Sequence, residues 1–174
     1  MGVFSIILDN IKNMKRAKQF RAMGKEKILA LEEYELYEAV YCLCEDAVYD
    51  IKADNINHTQ LMAYCLLSFE IEVNNGGLCQ FFVNSSSECA PFMAEAFDTI
   101  GAKELKQLYE NFVQENNIDV SDLSSFKITK VNEYEAQTKR YDFDSFDNAF
   151  YENEDFHQQI IDYCRENIEE ILSE

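Results

Sequence analysis

Apolar positions recur along this chain at three- and four-residue spacing, and that period predicts helices. Phe4, Ile7, Leu8, Ile11 and Met14 form a first stripe on a short helix whose remaining positions carry Lys and Arg. From about Leu31 to Ile51 a second stripe of Tyr34, Tyr37, Val40, Tyr41, Cys44, Val48 and Ile51 predicts a buried aromatic seam. Opposite it lie Glu32, Glu33, Glu35, Glu38, Glu45, Asp46 and Asp50. Asp54, Asn55 and Asn57 break this helix, and Asn57 or Thr59 supplies a cap for the next. From Leu61 to Val73 the apolar residues run almost unbroken, which predicts a central helix covered on most sides. Glu70 and Glu72 inside that run need partners.

Gly76-Gly77 ends the central helix, because a glycine there can take φ > 0. A short helix over Leu78 to Val83, a Ser-rich turn, a helix from Phe92 to Ile100 with Pro91 in its first turn, and an amphipathic helix over Glu104 to Val113 follow. Between Asn116 and Gln137 the periodicity weakens, leaving at most a short extended segment near 126–131 with no clear strand to pair with it. A last helix, about Asp155 to Leu172, carries Phe156, Ile160, Tyr163, Cys164, Ile168 and Ile171 on one stripe. With one Pro and five Gly in 174 residues, few positions force a turn, so the expected fold is all-α, a single compact multi-helix domain.

Charge changes that picture. Acidic residues outnumber Lys and Arg by 33 to 15, a formal net charge of −18, which opposes direct contact of the body with nucleic-acid phosphates. A hydrophobic fraction of 47% excludes a disordered acidic tail. Residues 1–27 hold seven Lys and Arg against Asp9 and Glu26, a net of +5, so the rest carries −23. The chain therefore divides by charge into a basic amphipathic helix or arm, 1–27, and an acidic helical domain, 28–174. The arm has three readings: packing on the body with its cations beside acidic residues, docking on a membrane surface, or binding a partner.

Six cysteines, mostly single within apolar stretches, read as reduced core thiols of a cytoplasmic protein. The apolar run Val3 to Leu8 is too short for a signal or membrane helix, and Ile6 stands where myristoylation after Met1-Gly2 needs Ser or Thr. No metal site or cofactor is expected. Glu154-x-x-His157 has the di-iron spacing but His58 has Asn55 at the matching position; Cys42-x-Cys44 lacks zinc spacing; Asp142-x-Asp144 fails as a calcium loop at Asp147 and Asn153. Gly76-Gly77 lacks the Lys of a phosphate loop, and Ser85 to Ser87 has no nearby His to activate it, so no catalytic motif is present and an enzyme is not expected.

Two strings depart from ordinary helical wording. In Glu72-Val73-Asn74-Asn75-Gly76-Gly77-Leu78-Cys79-Gln80-Phe81-Phe82-Val83-Asn84-Ser85, amides and glycines interrupt the most apolar part of the chain. They suit either a capped structural turn or a small-ligand pocket built from Glu72, Asn75, Gln80 and Asn84. In the second string, Tyr141 to Asp155, aromatics alternate with acids, and residues 141–174 hold eleven acids and one Arg, as if Phe and Tyr pin the segment while carboxylates face outward.

These strings, with Thr99-Ile100-Gly101-Ala102 between them, resemble the bacterial DNA-mimic protein family over about residues 34–172. Its mark here is Asn-Gly-Gly-x-x-Gln-Phe-Phe-x-Asn: Asn75, Gly76, Gly77, Gln80, Phe81, Phe82 and Asn84, with Glu72 and Asn74 before it. The resemblance implies an all-helical, commonly dimeric domain in which the motif residues build the fold and surface carboxylates act on a DNA-binding partner. Residues 1–27 lie outside it.

The expected function is an acidic module that offers carboxylates such as Glu35, Glu38, Glu45, Asp142, Asp144, Asp147, Glu154 and Asp155 to a basic protein, DNA-binding regulators among them. A homodimer in the cytoplasm is expected. The alternatives are a ligand-binding protein or enzyme using the polar pocket, and an interaction or toxin-neutralising module that works through its basic arm.

Overall fold

A computed structural model describes residues 3–49 and 56–173, leaving out the side chains of residues 3–11, 49 and 131 within the helices. Among the described residues the fold is all-α, with α1 (Val3–Met23), α2 (Lys25–Leu29), α3 (Glu33–Tyr49), α4 (His58–Val83), α5 (Met93–Thr99), α6 (Lys103–Glu115), α7 (Val131–Thr138), α8 (Phe143–Tyr151), α9 (Phe156–Glu166) and α10 (Ile168–Leu172). Tight 3-10 turns occupy Ser85–Phe92 and Ser124–Phe126. Contacts divide the chain into one unit of Met1–Tyr64 with Ile160–Glu174 and another of Cys65–Gln159.

In the first unit α3 buries Leu36, Ala39, Val40, Leu43 and Cys44, together with Ala17 of α1 and Ile28 of α2. The expected aromatic seam is therefore rotated: Tyr34 is 76% exposed, Tyr37 and Tyr41 are half-buried, and Tyr41 stacks on Tyr64 with ring centroids 6.2 Å apart. Leu and Ala without polar tips take the covered face, while the Tyr hydroxyls keep access to water. Met14 of the first stripe is also exposed. Phe4, Ile7, Leu8 and Ile11 have no described side chains, and Asp50, Ile51, Asp54 and Asn55 lie outside the described residues. Asn57 caps α4: its Oδ1 accepts from the Gln60 N–H (2.8 Å), and Gln60 Oε1 accepts from the Asn57 N–H (3.2 Å). Thr59 instead donates to Glu170, and the Gln60 amide donates to the carbonyls of Ile171 (3.1 Å) and Ser173 (2.9 Å), satisfying the end of α10.

The second unit is organised around Phe69 on α4. Its fully buried ring meets Phe81 (4.9 Å), Phe97 (5.2 Å), Phe150 (5.7 Å), Tyr109 (6.2 Å) and Phe156 (6.3 Å) edge-on, which is how ring quadrupoles attract. Phe82 and Phe112 extend this cluster to Phe126, Phe143 and Phe146. The acid-and-aromatic segment is thus pinned as α8 by Phe143, Phe146 and Phe150, and Asp142 caps it by accepting from the Ser145 N–H.

Three boundaries differ from the sequence expectation. Pro91 sits within the 3-10 turn, and α5 begins at Met93. Near 126–131 there is no strand among the described residues: Phe126 closes a 3-10 turn, and α7, masked by its weak apolar period, begins at Val131. The last helix breaks at Asn167 (φ −107°, ψ 17°), whose backbone N–H (3.1 Å) and side-chain amide (2.8 Å) both donate to the Tyr163 carbonyl. No helix among the described residues is long and apolar enough to cross a membrane.

Phe69→Ala is expected to destabilise the protein by about 3–5 kcal/mol in urea denaturation, whereas Tyr34→Ala on the exposed side of α3 changes stability by no more than about 0.5 kcal/mol.

Candidate functional site

The central helix breaks at Gly76 (φ −162°, ψ 24°) and Gly77 (φ 77°, ψ 179°) and resumes at Leu78. Gly77 occupies the left-handed region that favours glycine, and a Cβ there would overlap the Asp147 carboxylate; a Cβ at Gly76 would overlap the end of the Gln80 side chain. Glu72, one turn before the break, gathers the polar side chains that follow it. Its Oε2 accepts from the amides of Gln80 (2.7 Å) and Asn84 (2.8 Å), and its Oε1 accepts from the hydroxyl of Ser86 (3.1 Å). The carboxylate thus joins the two halves of α4 through charge-assisted hydrogen bonds.

Other elements satisfy the backbone groups the break leaves open. Tyr151 of α8 donates its hydroxyl to the Val73 carbonyl (2.7 Å), and Tyr134 of α7 donates to the Gly76 carbonyl (3.1 Å). On the resuming side, Asp147 Oδ1 accepts from the Leu78 N–H (2.8 Å), as a carboxylate at a helix N-terminus should. Burial pushes the Asp147 carboxyl above its ordinary value, with Asp144 adding to the rise and the Leu78 bond opposing it. Glu70, buried on α4, faces His157 Nδ1 at 3.0 Å at the start of α9.

Of the motif residues, Gly77, Phe81 and Phe82 are buried, Glu72 and Gln80 are half-buried, and Asn74, Asn75, Gly76 and Asn84 are exposed. The structure brings together Glu72, Gln80 and Asn84 from the pocket set, while Asn75 is on the surface. A groove of about 510 Å³ lies at the motif's far end, lined by Phe82, Val83 and Asn84 with Glu88, Asp122 and Lys127. Sequence reasoning missed Ser86, Tyr134, Tyr151 and the Glu70–His157 pair. The signal present was the need of two carboxylates in an apolar helix for partners; the spacing of 14 to 87 residues hid which ones.

The acidic candidates separate by environment. On α3, Glu38 pairs with Arg16, Asp46 pairs with Arg21, and Glu45 accepts from Asn13 (2.6 Å), with its carboxyl pushed up by burial. Lys25 likewise pairs with Glu169. Cations of the basic segment therefore lie on acids of the first unit, and Glu35 is exposed. In the second unit Asp142, Asp144, Glu154 and Asp155 are exposed, whereas Asp147 is half-buried against Leu78. All six cysteines are buried thiols, and no group of His, Cys, Asp and Glu among the described residues is placed to hold a metal ion.

The sequence model of one protein family, described as DMP19-like protein, matches residues 54–167, about two-thirds of the chain. No curated protein and no solved structure matches.

Gly77→Ala is expected to cost more stability than Gly101→Ala in parallel thermal melts, because Gly101 (φ 75°) carries only the backbone strain while Gly77 adds the overlap with Asp147. The raised Asp147 carboxyl means the folded state binds this proton more tightly than the unfolded chain does. Wild-type stability is therefore lost as pH climbs from the ordinary carboxylate value through the raised one. Asp147→Asn, which keeps the acceptor for Leu78, should equal or exceed wild type at pH 7, with the difference closing below that window in pH-dependent urea melts; Asp147→Ala should lose about 1 kcal/mol.

Proposed function

The chain belongs to the DMP19-like family, and from that membership we propose that it is an acidic protein-binding module of the DNA-mimic kind, offering surface carboxylates to a basic, DNA-binding protein. The observation that carries this reading is the stretch Tyr141–Cys164, which holds seven Asp and Glu and no Lys or Arg. Asp142, Asp144, Glu152, Glu154 and Asp155 within it are exposed.

Duplex DNA carries one negative charge per about 1.7 Å of axis, or about 3.4 Å along each strand, and helical neighbours at i, i+3 or i, i+4 lie about 5–6 Å apart, so carboxylates on helices offer a partner's Lys and Arg a row of closely set negative charges, sparser than that of the duplex. Attraction between such surfaces speeds encounter and weakens with salt. On α3 the carboxylates Glu38 and Glu45 already hold Arg16 and Asn13, which favours the second unit as the acidic surface on offer. Glu72 directs its oxygens to Gln80, Asn84 and Ser86, and this favours a structural role for the motif over an open polar pocket. In this reading the protein acts in the cytoplasm, as a homodimer, by binding and without catalysis or cofactor.

Immobilised protein is expected to retain a basic DNA-binding protein from its host's lysate at low ionic strength and release it as salt rises. Added free protein should displace DNA from that partner, and the Asp144→Lys, Glu154→Lys double variant should not. Retention of no basic protein at any ionic strength would sink the proposal.

A further inference from the structure

We infer that the docking surface for the basic partner is the face where the exposed side of α4 before the Gly76-Gly77 break meets the α8–α9 junction, with Ile71 and Tyr151 as apolar anchors within an acidic rim. This rests on the reading above and locates it. Residues 53–102 and 141–164 contain no Lys or Arg. In the second unit these two cation-free stretches are held against each other by the Leu78–Asp147 bond, the Tyr151 hydroxyl on Val73 and His157 on Glu70. The cations of this unit all come from residues 103–140, where Lys106 pairs with Asp98, Lys139 with Glu135, and Arg140 lies over Phe126 and Tyr141.

Two large apolar side chains stay open on these elements, Ile71 on α4 and Tyr151 at the end of α8. Ile71 is 40% exposed, one turn before the exposed Asn74 and Asn75, and Tyr151 is 52% exposed. Glu70, next to Ile71 in the chain, and Val73, two residues on, are the α4 residues that His157 and Tyr151 contact. Because its hydroxyl is fixed on the Val73 carbonyl, the Tyr151 ring is presented with little side-chain freedom left to lose on binding. Around these anchors Glu152, Glu154 and Asp155 are exposed. Aromatic and aliphatic anchors ringed by charge are the arrangement of interface hot spots, and the sign of the rim selects a basic partner. The occupant that fits is a cationic protein segment with apolar side chains among its Arg and Lys, such as a basic amphipathic helix, rather than a uniform polycation.

The test uses the full chain, isotope-labelled, with two synthetic peptides of equal charge at low salt: an arginine-only peptide and an arginine-leucine amphipathic peptide. Amide shifts are expected at residues 70–77 and 144–157, with the leucine-bearing peptide bound at least about five-fold tighter, a difference near 1 kcal/mol. Ile71→Ser should erase that preference, while Glu154→Gln with Asp155→Asn should weaken both peptides. Tyr151→Phe, which keeps the ring and gives up only the hydroxyl contact with the Val73 carbonyl, should retain the preference, because the ring is the anchor. Equal affinity for the two peptides, or shifts confined to other residues, overturns this inference and leaves the mimic reading standing. Binding of neither peptide at low salt counts against the mimic reading itself.

Discussion

A helix interrupted within an apolar core has to hold its two halves together and find partners for the backbone groups that the interruption frees, and in this protein the Glu72 carboxylate answers the first need. By accepting from Gln80, Asn84 and Ser86 it holds the residues after the Gly76-Gly77 break to the helix before it. The break itself depends on Gly77, which alone among residue types takes φ 77° at low cost while leaving room for the Asp147 carboxylate. Asp147, Tyr134 and Tyr151 then meet the exposed N–H and C=O groups. The location of α7 and α8 is coupled in this way to a two-glycine turn in α4.

That coupling gives the family motif a physical meaning. Its glycines shape the break, its Gln and Asn feed Glu72, and Phe81 and Phe82 enter the aromatic core beside Phe69 and Phe126. A side chain at Gly77 would overlap the Asp147 carboxylate, so this position bears directly on the seating of the acidic segment that follows Tyr141.

Charge is distributed by the same logic of satisfied groups. In the first unit the basic helix α1 places Arg16 and Arg21 on Glu38 and Asp46, which turns an acidic helix face into an internal set of ion pairs. The Arg16–Glu38 pair is the more open to water and the Arg21–Asp46 pair the more covered, so salt screens the first more than the second. Their consequence is that a carboxylate counted in the net charge is not thereby a carboxylate available for binding. In the second unit the exposed acids near the α8–α9 junction have no such cationic helix drawn from their own stretch of chain.

Much of the fold was legible in the chain because helical periodicity and glycine breaks are local properties: the central helix, its end at Gly76-Gly77, α6 and the pinning of residues 141–151 by Phe follow from spacing. Where several residue types compete for one face, local pattern was insufficient; Tyr34 fits the apolar stripe of α3, yet Leu36, Ala39 and Leu43 are the residues covered. By itself the sequence determined the all-helical class, the acid excess, the glycine break and the requirement that Glu70 and Glu72 have partners. Only the tertiary structure decided that His157 and the Gln80, Asn84 and Ser86 group are those partners, that Asp147 turns inward, and which carboxylates stay open, because hydrogen bonds across as many as 87 residues depend on packing that no local spacing encodes.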